Sequence, residues 1–320
     1  MKNYNPLSRR KFISQTAKAG VLFSFAAGFP EISFPHLRRE KLPDISVFSK
    51  HLQWLDYEGM ANFAAEVGFD GIDLTVRPGG HVFPENVKKD LPKAVKAVEK
   101  VGLKIKLITT AITAAKEPHT ETILKTAADL GVDFYRMGWI AYDPALVLKQ
   151  NQEQLAAQLK ELSELNARTG IKGAYQNHAG DRFGAAIWDL AEVLDPIGSE
   201  WLGCQYDIRH ATVEGANAWP VTLQRIAPHI NTLDFKDFVW EMKADGKFEV
   251  KNVPLGEGIV NFDHYLALLQ KLKIEAPISL HYEYDLGGAE HGNREIALDR
   301  QAVAATMKKD LEFLRKRLSH

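Results

Sequence analysis

Beginning near residue 43, short apolar runs of β-type composition alternate with stretches whose apolar residues recur every three or four positions. The runs predict strands at Ile45–Phe48, Gly71–Val76, Ile105–Thr110, Phe134–Met137, Gly173–Gln176, Leu202–Asp207, Ile230–Phe235 and Ile278–Tyr284. Between them, Met60, Phe63, Ala64 and Val67 mark one helical face, as do Ile123, Leu124, Ala127 and Leu130, and again Leu155, Leu159 and Leu162. A last stripe, Val303, Met307, Leu311, Leu314 and Leu318, predicts a closing helix. Each stripe reads as core-facing surface. Helix-ending glycines at Gly68, Gly102 and Gly131 precede several of the strands.

Eight such units in about 280 residues suit a closed parallel barrel better than an open sheet, which needs a switch point in its strand order. The expected fold is therefore α/β, a (β/α)8 TIM barrel forming a single domain over residues 43–318. No internal linker, repeat array or low-complexity segment interrupts it.

In a barrel of this kind chemistry gathers where the strands end, so polar residues should cluster where the apolar runs stop. They do so after strands five to eight: Gln176-Asn177-His178, Asp207 to His210, Asp234-Phe235-Lys236-Asp237, and His281-Tyr282-Glu283. Asp73, Arg77 and Arg136 contribute more weakly from strands two and four. Asp207 followed by Arg209 and His210 offers a carboxylate and an imidazole within one turn; the plainer reading is a helix-capping aspartate beside a surface histidine. Asp234 lies within an apolar strand, where its charge needs a cation or a donor, and an ion pair with a lysine or arginine would also serve. His281 and Glu283 are two apart and share one face of an extended chain.

Oxygen and imidazole groups from separate strand ends suit a divalent ion (Mn, Mg, Co or Zn) that polarises a sugar carbonyl and its neighbouring hydroxyl. His178 and Lys236 would orient hydroxyls or stabilise an enolate oxygen. Pro254-Leu255-Gly256-Glu257-Gly258 reads as a loop whose glycines allow close approach to a ligand, or simply as a turn. Before it, Trp240 to Val250, centred on Asp245-Gly246, reads as a hairpin or lid.

Charge and the N-terminus change the picture. Ser8-Arg9-Arg10-Lys11-Phe12-Ile13 precedes an apolar run from Ala19 to Phe29 that is too short to span a bilayer. Residues 1–36 therefore resemble a twin-arginine export signal, with the export machinery as a partner and a periplasmic or otherwise exported destination. Without those residues, which carry five of the 40 Lys/Arg and one of the 41 Asp/Glu, the formal charge goes from −1 to −5. That balance offers no footprint for nucleic acid, and no other long apolar run supports stable membrane insertion. Cys204, the only cysteine, excludes an internal disulfide.

Gln-Asn-His-Ala-Gly at 176–180, Asp-x-x-His-Ala at 207–211 with Gly215 beyond, Lys-Asp at 236–237 and Gly-Glu-Gly at 256–258 resemble the xylose isomerase-like TIM-barrel superfamily over residues 43–315. That superfamily includes sugar-phosphate isomerases and epimerases, inosose dehydratases and endonuclease IV-type repair enzymes. The resemblance implies a metal held at Gln176, Asp207, Asp234 and His281, and three of these four depart from the family's Glu, Asp, His, Glu set. It further implies Glu283, His178 and Lys236 as catalytic groups and His210, Arg209, Glu257 and Asp237 as contacts to a small carbohydrate.

Because Gln176 cannot take a proton at neutral pH, epimerisation by two opposed carboxylates is hard to write, and one-sided proton transfer through Glu283 fits better. The expectation is an exported sugar isomerase or epimerase-type enzyme using metal-assisted proton transfer. A keto-sugar lyase or dehydratase, and a carbohydrate-binding barrel without catalysis, are the alternatives. The sequence does not give the oligomeric state.

Overall fold

A computed structural model describes residues 43–319. Eight parallel strands close into a barrel: β1 (Ile45–Phe48), β2 (Gly71–Val76), β3 (Lys104–Thr110), β4 (Phe134–Arg136), β5 (Lys172–Gln176), β6 (Leu202–Asp207), β7 (Ile230–Phe235) and, after an inserted pair, β10 (Ile278–Leu280). The chain runs around the barrel in sequence order, and β10 pairs with both β7 and β1. This is the (β/α)8 fold that the alternation of apolar runs predicts, as one domain from about residue 43.

The helical stripes pack as their spacing requires. Met60, Phe63, Ala64 and Val67 are buried in the helix Tyr57–Val67, which Asp56 caps by accepting the Gly59 N–H at 2.7 Å. Gly68 ends that helix at φ +104, a conformation a side chain would strain. Gly102 and Gly131 also have positive φ. Val303, Met307, Leu311 and Leu314 bury one side of the final helix, Arg300–Leu318. Each such burial contributes on the order of 1.5–3 kcal/mol for a large aliphatic or aromatic side chain.

Strand eight is shorter than its apolar run predicts. His281 still donates its N–H to the Phe235 carbonyl at 3.3 Å, but the N–H of Tyr282 is taken by His51 Nε2 at 3.0 Å, so the ladder stops. The hairpin is real and wider than predicted: β8 (Asp237–Met242) pairs antiparallel with β9 (Phe248–Val253) around Gly246, φ +81. Residues 1–36, the proposed export signal, lie outside the described residues, among which no helix is long and apolar enough to cross a membrane.

Candidate active site at the strand ends

Strand alternation aims every second residue into the barrel, and β6 shows the result: Gln205 and Asp207 face inward while Tyr206 packs outward against Tyr265. Asp207 and Asp234 are register partners on β6 and β7, so two carboxylates meet in an interior where neither is exposed. Their mutual repulsion is relieved by amides. Gln176 Nε2 donates to Asp207 Oδ2 at 2.9 Å and to Asp234 Oδ2 at 2.5 Å, and Gln205 Nε2 donates to Asp234 Oδ1 at 2.7 Å. Burial and then Asp207 push the Asp234 carboxyl well above the usual range.

Lys236, just past β7, supplies the positive charge. Its Nζ lies 2.8 Å from Asp207 Oδ2, 3.3 Å from Glu283 Oε1 and 3.0 Å from His210 Nε2, and the residue is 3% exposed. Burial works against its charge, but Asp207, Glu283 and Asp234 outweigh burial and raise the lysine pKa. Burial likewise raises the Glu283 carboxyl, yet Lys236, Lys50 and Arg209 together bring it down to about 2.

His210 completes the cluster. The Ala179 N–H, at 3.2 Å, and the Arg209 guanidinium, at 2.8 Å, both point at its Nδ1. Two donors on one nitrogen assign the ring proton to Nε2, the atom that faces Lys236. Burial, then Lys236 and Arg209, keep His210 uncharged by lowering its pKa well below the ordinary value. His178 lies against it with ring centroids 4.0 Å apart, and Trp139 meets His178 at 4.6 Å. The Nδ1–H of His178 donates to the Ala179 carbonyl at 2.9 Å, leaving Nε2 as a proton acceptor; burial and then Lys236 lower this histidine to about 4.

Most residues singled out in the sequence therefore come together: Gln176, Asp207, Asp234, His281, Glu283, Lys236, His178 and His210. His281 reaches Asp234 at 3.4 Å and Ser279 Oγ at 3.1 Å, and stacks on Phe48 at 4.4 Å. Arg209 stands behind His210 and ties it to the hairpin, donating to Asn252 Oδ1 at 2.7 Å.

Two predicted sugar contacts are placed elsewhere. Asp237 accepts four backbone N–H groups, from Phe238, Gly256, Gly258 and Val260 at 2.9–3.1 Å, so it anchors the loop from its own side. A Cβ on Gly258 would sit 2.1 Å from Asp237 Oδ1, so this glycine makes room for the carboxylate, while one on Gly256 would meet the Phe313 ring. Glu257 pairs with Lys309 at 2.6 Å among exposed side chains.

Sequence reasoning missed Gln205, Phe48, Trp139, His51 and Lys50. Gln205 had a signal, since it precedes Asp207 by two residues on the same strand; the others sit in irregular turns or at a strand's last position.

The xylose isomerase-like TIM barrel family model matches residues 61–317, and the chain belongs to that family. Among solved structures, the probable 3-DHS dehydratase AsbF of Bacillus anthracis, involved in petrobactin synthesis, is 18% identical with a TM-score of 0.64, covering 85% of this chain and 98% of that one. The 3-keto-D-glucoside 4-epimerase YcjR of E. coli is 13% identical, TM-score 0.63, over 86% and 99%. A xylose isomerase-like TIM barrel protein of Mycobacterium smegmatis in complex with magnesium is 14% identical, TM-score 0.62, over 84% and 98%. No curated protein matches the sequence.

The donor set in this chain does not fit a divalent ion. Arg136, which can only donate, bonds Gln176 Oε1 at 2.8 Å, so the amide necessarily turns its NH2 toward the two carboxylates and presents no oxygen to a metal. Asp207 Oδ2 already receives that NH2 and the Lys236 ammonium, and its Oδ1 accepts the His210 backbone N–H at 3.2 Å. Among the described residues no three His, Cys, Asp or Glu side chains are placed to hold a metal ion. The divalent ion expected at Gln176, Asp207, Asp234 and His281 meets amide protons and an ammonium instead.

Proposed function

We propose that the chain is an enzyme that moves a proton on the carbon beside a sugar carbonyl, and that Lys236 supplies the positive charge for this step. The observation that carries the reading is the 3.0 Å approach of Lys236 Nζ to His210 Nε2, two proton-bearing nitrogens with too few acceptors between them. An oxygen that gains negative charge satisfies both, which is what an oxyanion site requires. Glu283, ionised and 25% exposed beside Lys236, takes the C–H proton; the carbonyl oxygen becomes an enediolate oxygen held by Lys236 and His210. Return of the proton to the adjacent carbon gives the isomer, and His178 Nε2 carries the hydroxyl proton between the two oxygens. With Gln176 in place of a second carboxylate, proton traffic is confined to one side of the substrate.

The test is a panel of aldoses, ketoses and keto-glycosides incubated with the enzyme in deuterated water. Deuterium uptake with conserved carbon skeleton supports isomerisation, an unsaturated product supports elimination from the same intermediate, and absence of both with retained sugar binding overturns catalysis in favour of a binding barrel. Glu283→Gln should abolish uptake. The proposal includes export of the folded protein, which Ser8-Arg9-Arg10-Lys11-Phe12 supports.

A further inference from the structure

Three cations at the barrel mouth have no task in the reaction above. Lys50 lies in the turn Ser49–Leu52 that follows β1, Arg77 follows β2, and Arg136 ends β4. The guanidinium carbons of Arg77 and Arg136 each stand 5.6 Å from the centroid of one ring, that of Phe48. Among the described residues, neither Lys50 nor the Arg77 side chain has an ion-pair or hydrogen-bond partner, although both are half-buried. Arg136 is 3% exposed, spends one nitrogen on Gln176, and leaves its buried Nε without a partner.

The surrounding charge does not balance these groups. Lys50, Arg77, Arg136, Arg209 and Lys236 face Asp73, Asp207, Asp234 and Glu283. Burial holds the Asp73 carboxyl up at about 6, and burial with Asp207 beside it also raises Asp234, so the acidic side is weaker than its count. Burial, followed by neighbouring Arg136, lowers Arg77 to about 10, and burial also lowers Lys50, which feels Lys236, Arg77 and Arg136 as well as Glu283. Half-buried cations crowded together, with the nearest carboxylates acting on them only from beyond ion-pair distance, are costly unless a ligand brings a closer anion.

We propose that the substrate is an anionic sugar, and that Lys50 and Arg77 receive its carboxylate or phosphate at the mouth of the barrel, with Arg136 behind them. This rests on the reading of the mouth as a sugar site and names the substrate class. Arginine suits either anion because its fork matches two oxygens, and lysine adds a point charge. The arrangement also links binding to chemistry. Lys50 is one of the cations that keep Glu283 at about 2, so an anion seated on Lys50 weakens that hold and makes Glu283 a stronger base only when substrate is present.

The experiment is titration calorimetry of the full chain with D-fructose, D-glucuronate and D-fructose 6-phosphate at low and at moderate salt. One anionic sugar should bind at least about tenfold more tightly than fructose, with an advantage that shrinks as salt rises. Which of the two does so separates carboxylate from phosphate. In Arg77→Gln and in Lys50→Gln that preference should fall to within about threefold, equivalent to losing at least about half of the roughly 1.4 kcal/mol that tenfold represents. If Arg77→Gln fails to fold, the half-exposed Lys50→Gln decides. Equal binding of fructose and both anions, a preference that survives both substitutions, or no binding by any of the three overturns the proposal. Because binding is read without turnover, anion preference without deuterium uptake would sink the reaction and leave this inference standing. Uptake on neutral sugars without anion preference would do the reverse.

Discussion

Lys236 Nζ and Asp207 Oδ2 are 2.8 Å apart in an interior where Asp207 has no exposure and Lys236 almost none. A pair so placed is held by the loss either partner suffers when left alone: removing one charge strands the other away from water.

Lys236→Met should therefore destabilise the protein by about 3–5 kcal/mol, the range for breaking a buried pair, and lower turnover by on the order of 10²–10³. Adding Asp207→Asn to that variant should recover most of the stability and none of the activity. Denaturant melts of the two variants beside initial rates check this; a double mutant no more stable than the single would mean the pair is not what holds the site.

Chelation should leave the protein untouched. Because Lys236 and the Gln176 amide fill the space between the carboxylates, dialysis against EDTA should change neither the melting temperature nor the rate, and added Mn should not raise either. A melting temperature several degrees higher with Mn would contradict the donor geometry, since a ligand that binds only the folded state must stabilise it.

His51 predicts a pH dependence. Its Nε2 accepts the Tyr282 N–H at 3.0 Å while Nδ1 donates to the Ala289 carbonyl at 3.3 Å, and burial, then Lys50, hold its pKa at about 3. Protonating it would set two donors against each other. A base whose folded pKa is depressed leaves stability intact above its unfolded value of 6.5 and costs stability as pH falls below it, down to about 3. Melts between pH 6.5 and 5 should thus show a loss of about 2 kcal/mol from this group. His51→Gln should flatten that slope relative to the wild type even though it melts lower throughout.

Activity should have no limb near 6.5. Glu283 is ionised down to about 2 and His178 is neutral down to about 4, so kcat/KM should fall with acid around pH 4. In Lys236→Met the Glu283 carboxyl loses its largest charge partner and rises, and any residual activity should show its acid limb at higher pH. A wild-type limb at 6.5 would assign the step to a different group.

Export is checked by fractionation: with Arg9→Lys and Arg10→Lys together, the unprocessed chain should accumulate in the cytoplasm while the wild type leaves it.

Much of this architecture is visible in one-dimensional pattern, because strand and helix periods are local. The eight apolar runs mark the barrel, and the rule that polar residues gather at strand ends singles out Asp207, Asp234, Lys236 and Glu283, which the structure brings together. What pattern does not carry is pairing. That Gln176 turns its NH2 inward follows from Arg136, 40 residues away, and that Asp237 turns to its own loop follows from the Gly258 backbone 21 residues on. Lys236 and Asp237 are adjacent, and extended-chain alternation sends one to the mouth and the other to the wall; the expectation treated both as facing a sugar. His51 sits in a single turn that has no period to betray it.

An ammonium tethered by four methylenes cannot dissociate. Where a cation is borrowed from solution, folding yields an apoprotein that must still be charged with its ion, and scarcity can strip it again; in the reaction proposed for Lys236, the chain finishes folding with that positive charge already in place.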